Sequence, residues 1–376
     1  MELTIAKRSF LRGLTRAHGV ADRKSSMPIL SNILLSTDGP STLRFAATDL
    51  YLAVSTLAEA RVGRGGTVAV GAKTLFDIVK ALPEGEVTLS VGPSHAAEIR
   101  CGKVRYRIPG MPGEEFPALP SPGEAKFADV DADALGELIA RTHFSMSTDD
   151  TRPHLAGALF EGDGKVLRMV TTDGHRLSKA ERKHDGAMLN FTMLVPGKGI
   201  AELRRLIDDA RADRPKGEEA PLTLGVAQAG GNAFFRREGV QLSVKLADEQ
   251  FPPYAKVIPA SASRRVVASR VALTEALRRI ALVAADKSGL VKLAIEPGKL
   301  RIESENPDVG AGSEEVDVDF AGAPVTIGFN AKYLLDVLGA LADDEVALEL
   351  SGELDPGMVK PAVGEGFVGV IMPMRI

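Results

Sequence analysis

Leu167 to Ser178 reads LRMVTTDGHRLS, and two other stretches repeat its pattern: LRFAATDLYLAVS from Leu43 and LRIESENPDVG from Leu300. Each opens on Leu-Arg and alternates apolar with polar residues, as a half-buried strand does. A second strand follows, then a helix with lysine near its start: AKTLFDIVKAL from Ala72, GKGIAELRRLI from Gly197, AKYLLDVLGAL from Ala331. From Leu43 to Lys73, Leu167 to Lys198 and Leu300 to Lys332 the separations are 30, 31 and 32 residues. Residue types and spacing agree in all three copies, so the chain is a threefold repeat.

Working outward, an amphipathic helix is expected ahead of each Leu-Arg strand, at residues 7–20, 131–144 and 272–285. In the first, Phe10, Leu11 and Leu14 share a face while Lys7, Arg8, Arg12 and Arg16 fall elsewhere. Short alternating runs such as GEVTLSVG, GVQLSVKL and DEVALELSG supply further strands between Gly, Pro and Asp turns. Two linkers, Met111 to Phe127 and Phe251 to Arg265, are rich in proline with few helix signals. Units this large are whole domains, since solenoid repeats run to about 20–45 residues. The predicted class is therefore α+β, with three repeated domains at 1–125, 127–255 and 260–376, each with two helices on antiparallel sheets.

Composition narrows the function classes. Hydrophobic residues are 44% and charged residues 26% of the 376, a globular balance, while aromatics are only 5% and Trp is absent, so aliphatic cores are expected. No apolar run approaches the roughly 20 residues of a membrane span, and MELTIAKRSF lacks the apolar stretch of a secretion signal. Cys101 has no partner cysteine, which excludes an internal disulfide and cysteine metal sites. A cytoplasmic protein without membrane contact, metal or cofactor is expected.

The net charge of −4 speaks against a simple basic nucleic-acid binder, so its distribution matters. The six predicted helices (7–20, 72–82, 131–144, 197–212, 272–285, 329–342) carry 14 Lys and Arg against 9 Asp and Glu. For a single helix this is ordinary solvated surface. The recurrence of Lys73, Lys198 and Lys332 points instead to a shared role, because a cation at a helix start opposes the macrodipole. A phosphate backbone would favour it there. Twelve helices from two copies, spaced about 10 Å round a circle, would leave a hole of roughly 28 Å once helix radii are removed, wide enough for a duplex.

TTDGHRLS (Thr171 to Ser178), FPPYAKVIP (Phe251 to Pro259), MPILSNILL (Met27 to Leu35) and VIMPMRI (Val370 to Ile376) closely resemble the bacterial β sliding clamp family of DNA polymerase III. The resemblance spans the whole chain. It implies a non-catalytic processivity subunit: a head-to-tail homodimeric ring that encircles duplex DNA. The partners it implies are the replicative polymerase catalytic subunit, a clamp-loader ATPase, and other polymerases and repair proteins carrying a Gln-Leu-x-Leu-Phe-like peptide.

Carried over by position, the peptide pocket comprises Leu155 and, around the TDGHRL motif, Thr172, Gly174, His175, Arg176 and Leu177. The second linker adds Pro252, Lys256 and Val257, and the C-terminus adds Val370, Met372, Pro373, Met374 and Arg375. Leu, Val, Pro and two Met make an adaptable apolar cleft. DNA contacts map to Lys24, Lys73, Asp149, Pro153, His154 and Lys198, where the three lysines suit phosphate. At Asp149, Pro153 and His154 the chain departs from the family's amide and aromatics, which argues against tight contact from that loop. The subunit contact maps to Tyr106 and Ile108 on a strand edge and to Leu282 and Val283 on the third-domain helix.

Two rival classes remain. Asp173 and His175, two apart on a strand, would share a face and suit acid–base or metal chemistry in a hydrolase. Repeat one keeps the aspartate as Asp49 but not the histidine, which reads as turn chemistry with a local recognition role. The other rival is a peptide-binding scaffold without a DNA role. GxxxxGK[ST] is absent, and PGKG from Pro196 reads as a helix start, so ring opening would need a separate ATPase.

Overall fold

The computed structural model describes residues 1–22, 24–149, 151–214, 221–284 and 288–376. Ala285, the last residue of the third expected amphipathic helix, lies outside them.

The first repeat runs β1 (Glu2–Ala6), α1 (Lys7–His18), β2 (Asn32–Thr37), β3 (Thr42–Thr48), β4 (Leu52–Glu59), β5 (Arg61–Arg64) and β6 (Thr67–Gly71). It ends with α2 (Ala72–Ala81), β7 (Glu86–Val91), β8 (Ala97–Cys101), β9 (Val104–Ile108) and the short β10 (Gly110–Pro112). The second has β11 (Ala128–Asp131), α3 (Ala132–Thr142), β12 (Gly157–Gly164), β13 (Val166–Thr172), β14 (Arg176–Lys183) and β15 (Leu189–Pro196). It closes with α4 (Gly197–Asp213), β16 (Thr223–Ala229), β17 (Asn232–Arg237) and β18 (Val240–Lys245). The third has β19 (Arg264–Ser269), α5 (Arg270–Ile280), β20 (Leu290–Glu296), β21 (Lys299–Asn306), β22 (Gly310–Asp319) and β23 (Val325–Asn330). It finishes with α6 (Ala331–Gly339), β24 (Glu345–Leu350), β25 (Gly357–Pro361) and β26 (Phe367–Ile371). Apart from β5 and β10, every copy is one strand, a helix, four strands, a helix and three strands. The three Leu-Arg stretches are β3, β13 and β21. Two principal strands, not one, separate each from its lysine-bearing helix (with the short β5 besides in the first copy), because β6, β15 and β23 lead straight into α2, α4 and α6.

Packing explains the patterns. Leu43 and Phe45, Leu167 and Met169, and Leu300 and Ile302 are all buried on one face of their strands. On α1, Phe10, Leu14 and Ala17 form the buried stripe, and Gly13 lets the helix approach the sheet, since a Cβ there would stand 2.5 Å from the Phe45 ring. The cores are not purely aliphatic. Phe10, Phe45, Phe160, Phe234, Phe235 and Phe329 are among the largest fully buried side chains, so the few aromatics are spent in the interior. All the helices but α4, which runs to Asp213, also stop short of their expected ends. The third amphipathic helix ends at Ile280, and Leu282 and Val283 lie on a 3-10 turn, Ala281–Val283, that follows it.

Contacts divide the chain into two compact units, 1–132 with 198–246 and 133–197 with 247–376. The division cuts the second repeat because each of its sheets is continuous with a different neighbour. In the first unit β4 pairs with β18, from Leu52↔Val244 to Thr56↔Val240, within a nine-stranded sheet. In the second β14 pairs with β26, from Arg176↔Ile371 to Ala180↔Phe367, within a twelve-stranded one. A third, five-stranded sheet in the first unit runs β5-β1-β7-β8-β9 and leaves β9 at its edge.

Candidate functional site

The corner between β13 and β14 is built by its own side chains. Thr172 Oγ1 donates to the Arg176 carbonyl at 2.7 Å and accepts from the Gly174 amide at 3.1 Å. Asp173 Oδ1 accepts from the amides of His175 and Arg176 at 2.9 and 3.0 Å. Gly174 sits at φ 90°, a left-handed conformation that glycine adopts without strain. Asp173 and His175 thus lie in a turn, not on a strand as the acid–base reading required. One Asp173 oxygen is taken by two amides, and the other accepts from Arg176 Nε at 3.0 Å.

Arg176 is the buried cation of the motif, 7% exposed. Besides Asp173, its Nη1 donates to Asp336 Oδ2 on α6 at 2.6 Å and its Nη2 to the Phe144 carbonyl at 2.6 Å. Its guanidinium lies 4.4 Å from the Tyr333 ring centroid and 5.6 Å from that of Phe144. Such a buried cation is tolerable only because every nitrogen has a partner.

Around this corner the other pocket candidates of the same unit gather. Leu177 and Val370 face each other across β14·β26 and join a core cluster with Leu159, Val170, Met358 and Val368. Phe251, Tyr254 and Ile258 of the second linker pack against that cluster. Tyr254 donates its hydroxyl to Glu161 at 2.9 Å, and Arg168 bridges Glu161 and Glu181. Burial and the Glu161 carboxylate push the Tyr254 phenol up, which keeps it a donor. This pin holds the segment carrying Pro252, Lys256 and Val257. The C-terminal residues are tied by backbone: Met372 N to the His175 carbonyl at 2.9 Å and Met374 N to the Gly328 carbonyl at 2.8 Å. Leu155, Leu177 and Val370 are buried, whereas Val257 and Met372 are about two-fifths exposed, at 41% and 40%. Gly174, His175, Lys256 and Arg375 are exposed, and Pro252, Pro373 and Met374 half-buried. The arrangement is an apolar floor with an open rim of Val, Met and Pro, fringed by Lys and Arg.

The DNA candidates fall in two groups, one in each unit. Lys24 is exposed in the loop after α1, and Lys73 and Lys198 are exposed on the first turns of α2 and α4. Each helix lysine has a carboxylate beside it: Lys73 with Asp77 at 2.5 Å and Lys198 with Asp49 at 3.7 Å. On α6, Lys332 meets Asp336 at 3.2 Å. Local ion pairs therefore answer part of the dipole argument without any phosphate. Likewise Arg12 and Arg16 of α1 pair with Asp213, and Arg16 with Asp209, so α4 neutralises part of the positive surplus of α1. Asp149 turns inward on its own loop. Hydrogen bonds from the Thr151 hydroxyl and amide, with Arg152 beyond, hold its carboxyl below the usual range. That loop exposes Pro153 and part of His154 beside a fixed anion.

Of the subunit-contact candidates, Tyr106 is 41% exposed on edge strand β9, and Ile108 is buried there. Leu282 is 80% exposed, while Val283 approaches Gly312 of β22, 3.1 Å from where a Cβ would stand. Sequence reasoning missed Asp336, Tyr333, Glu161 and Arg168. Asp336 carried a signal, because an acidic residue follows the repeated lysine at four positions on in every copy: Asp77, Glu202 and Asp336.

Family models for the DNA polymerase III beta subunit match the chain end to end: the N-terminal domain at 1–120, the central domain at 129–253 and the C-terminal domain at 255–375. The chain belongs to the bacterial β sliding clamp family. It is 37% identical over 383 residues to the beta sliding clamp of Caulobacter vibrioides, with all of both chains covered. The beta sliding clamp of Escherichia coli K12 is 32% identical over 380 residues, again with full coverage of both. In structure it superposes on the Pseudomonas aeruginosa DNA polymerase sliding clamp with a TM-score of 0.92 at 30% identity, covering 100% of each chain. The function is that of a DNA sliding clamp, built from three clamp domains with six helices on antiparallel sheets. Among the described residues no helix is long and apolar enough to cross a membrane.

Proposed function

We propose that two copies close head-to-tail into a non-catalytic ring around duplex DNA in the cytoplasm, with domains at 1–125, 127–255 and 260–376. The pairing rule of the repeats supports this most directly. The third of the four principal strands between the two helices of one repeat, β4 or β14, pairs with the last strand of the next repeat, β18 or β26. The corresponding strand of the third repeat is β22, and the last principal strand of the first is β9, β10 being set aside. Among the described residues both keep a free edge, β9 along its length and β22 over its first residues. Unpaired edges are a liability unless covered. Their charges are complementary: β9 exposes Arg105 and Arg107, while β22 carries Glu314, Glu315 and Asp317. Tyr106 and Ile108 of one subunit would then lie against Leu282 and Val283 of the other, a heterologous contact that closes after two.

In this reading Lys24, Lys73 and Lys198 face the duplex across water, with Asp149, Pro153 and His154 contributing little. Each phosphate neutralised strengthens binding and its salt dependence, so a weakly basic wall favours sliding. The negative remainder of the surface repels DNA elsewhere. The groove around the TDGHRL corner takes the clamp-binding peptide of the polymerase catalytic subunit and of other polymerases and repair proteins. A clamp-loader ATPase opens the ring. Retention on DNA at high salt tests the topological hold: loaded clamp stays on a closed circular duplex and leaves a linear one from its ends. Equal loss from both contradicts the ring and favours a peptide-binding scaffold.

A further inference from the structure

Arg176 has been assigned to the peptide groove, yet its nitrogens are all engaged inside the protein. Nε, Nη1 and Nη2 are held by Asp173, Asp336 and the Phe144 carbonyl, and one face of the guanidinium plane lies against the Tyr333 ring. A guanidinium so occupied does not read a ligand's charge. It is a strut. Its carbonyl accepts the Thr172 hydroxyl and the Asp173 amide, which closes the corner. The corner in turn holds Met372 through the His175 carbonyl. Of the three groups bonded to Arg176, Asp173 and Phe144 lie on the corner itself and on the segment after α3. Only Asp336 comes from a separate helix, and among the described residues it is also the only one shared with an exposed side chain. Lys332 Nζ lies 3.2 Å from the same Oδ2 atom that accepts Arg176 Nη1 at 2.6 Å.

We propose that Asp336 is a positioning residue of the peptide groove. Without touching the peptide, it sets the Arg176 strut, and through it the His175–Met372 rim, by joining α6 to the corner. Lys332 competes for the same oxygen only weakly, because it is 73% exposed and solvated while Arg176 is buried. The groove therefore depends on the carboxylate and hardly on the lysine. This rests on the reading of the groove as the peptide site, so two measurements are paired.

The first is anisotropy titration of the intact dimer with a labelled Gln-Leu-x-Leu-Phe peptide. Asp336→Asn weakens binding about five- to tenfold, Asp336→Glu recovers most of the loss, and Lys332→Gln changes it less than twofold. In an Arg176→Ala background Asp336→Asn has no further effect, as expected if the aspartate acts through the arginine. The second is amide hydrogen exchange at 174–177, which quickens at least tenfold in Asp336→Asn and is unchanged in the matching first-repeat variant Asp77→Asn. Wild-type affinity in Asp336→Asn, or additive losses with Arg176→Ala, overturns the proposal. If the peptide binds neither wild type nor variant, the groove reading falls by itself. Exchange at 174–177 then decides the positioning role, which stands if it quickens and falls if it does not.

Discussion

The corners after β3 and β13 are the same object with different contents. At the first, Thr48 Oγ1 donates to the Leu52 carbonyl at 2.7 Å and accepts from the Leu50 amide, and Asp49 Oδ1 accepts from the amides of Tyr51 and Leu52. At the second, Thr172 and Asp173 make the same four bonds one repeat later. The intervening residue is left-handed in both, Leu50 at φ 72° and Gly174 at φ 90°. Threonine and aspartate set the shape; glycine merely removes its strain. The residue that follows the turn decides what the corner does. Leu52 is a buried apolar side chain, whereas Arg176 recruits Asp173 and Asp336 and, in the proposed reading, braces the peptide groove. At the first corner the matching helix acid, Glu202, meets no arginine from the turn. With Asp49, Leu52, Lys198 and Arg205 it lines a cavity of 230 Å³.

The sharpest way to break this comparison is to exchange the left-handed residues. Gly174→Ala places a Cβ in the disfavoured region and costs about 1 kcal/mol, seen in chemical denaturation and as weaker peptide binding. Leu50→Gly relieves a similar strain but adds unfolded-state freedom, so its net effect stays within about 0.5 kcal/mol. Equal and opposite effects would mean that glycine, not the Thr-Asp bonding, shapes the turn.

A smaller effect separates the carboxylates. Burial pushes the Glu202 carboxyl up, Arg205 opposes and Asp49 adds to the rise. Its ionised form therefore burdens the fold at neutral pH, and stability is regained as pH falls through the raised value. Burial also works against Glu137 in the other unit, but Arg182 and Arg141 outweigh it and hold that carboxyl down. Its stabilisation is present above the ordinary carboxylate range and is lost as pH falls through the depressed value. Glu202→Gln accordingly raises the melting temperature at pH 7 by about one degree, a small gain because the Arg205 ion pair offsets part of the burial penalty. Glu137→Gln lowers it, and both differences shrink toward acid pH. A Glu202→Gln protein less stable at pH 7 than wild type would remove the contrast.

The repeat, the helices and the α+β class were legible because periodicity and spacing are local properties of the chain. The aspartate at the corners was legible as turn chemistry for the same reason. What stayed hidden depends on partners distant in sequence. Asp336 is 160 residues from Arg176, and nothing local tells that the corner arginine is buried instead of displayed. The cations of α1 looked available until Asp209 and Asp213, almost 200 positions on, came to rest beside them. Leu282 and Val283 fell outside their expected helix because apolar periodicity continues through a 3-10 turn as readily as through another helical turn.

The proposed closure of β9 on β22 is the step from which tethering, sliding and loading would all follow. Light scattering of the purified chain near physiological salt weighs it without assuming DNA or peptide. A mass close to twice 39.8 kDa is predicted, falling toward 39.8 kDa when Tyr106 is replaced by an edge-blocking proline. A wild-type chain that stays monomeric at micromolar concentration would contradict the ring.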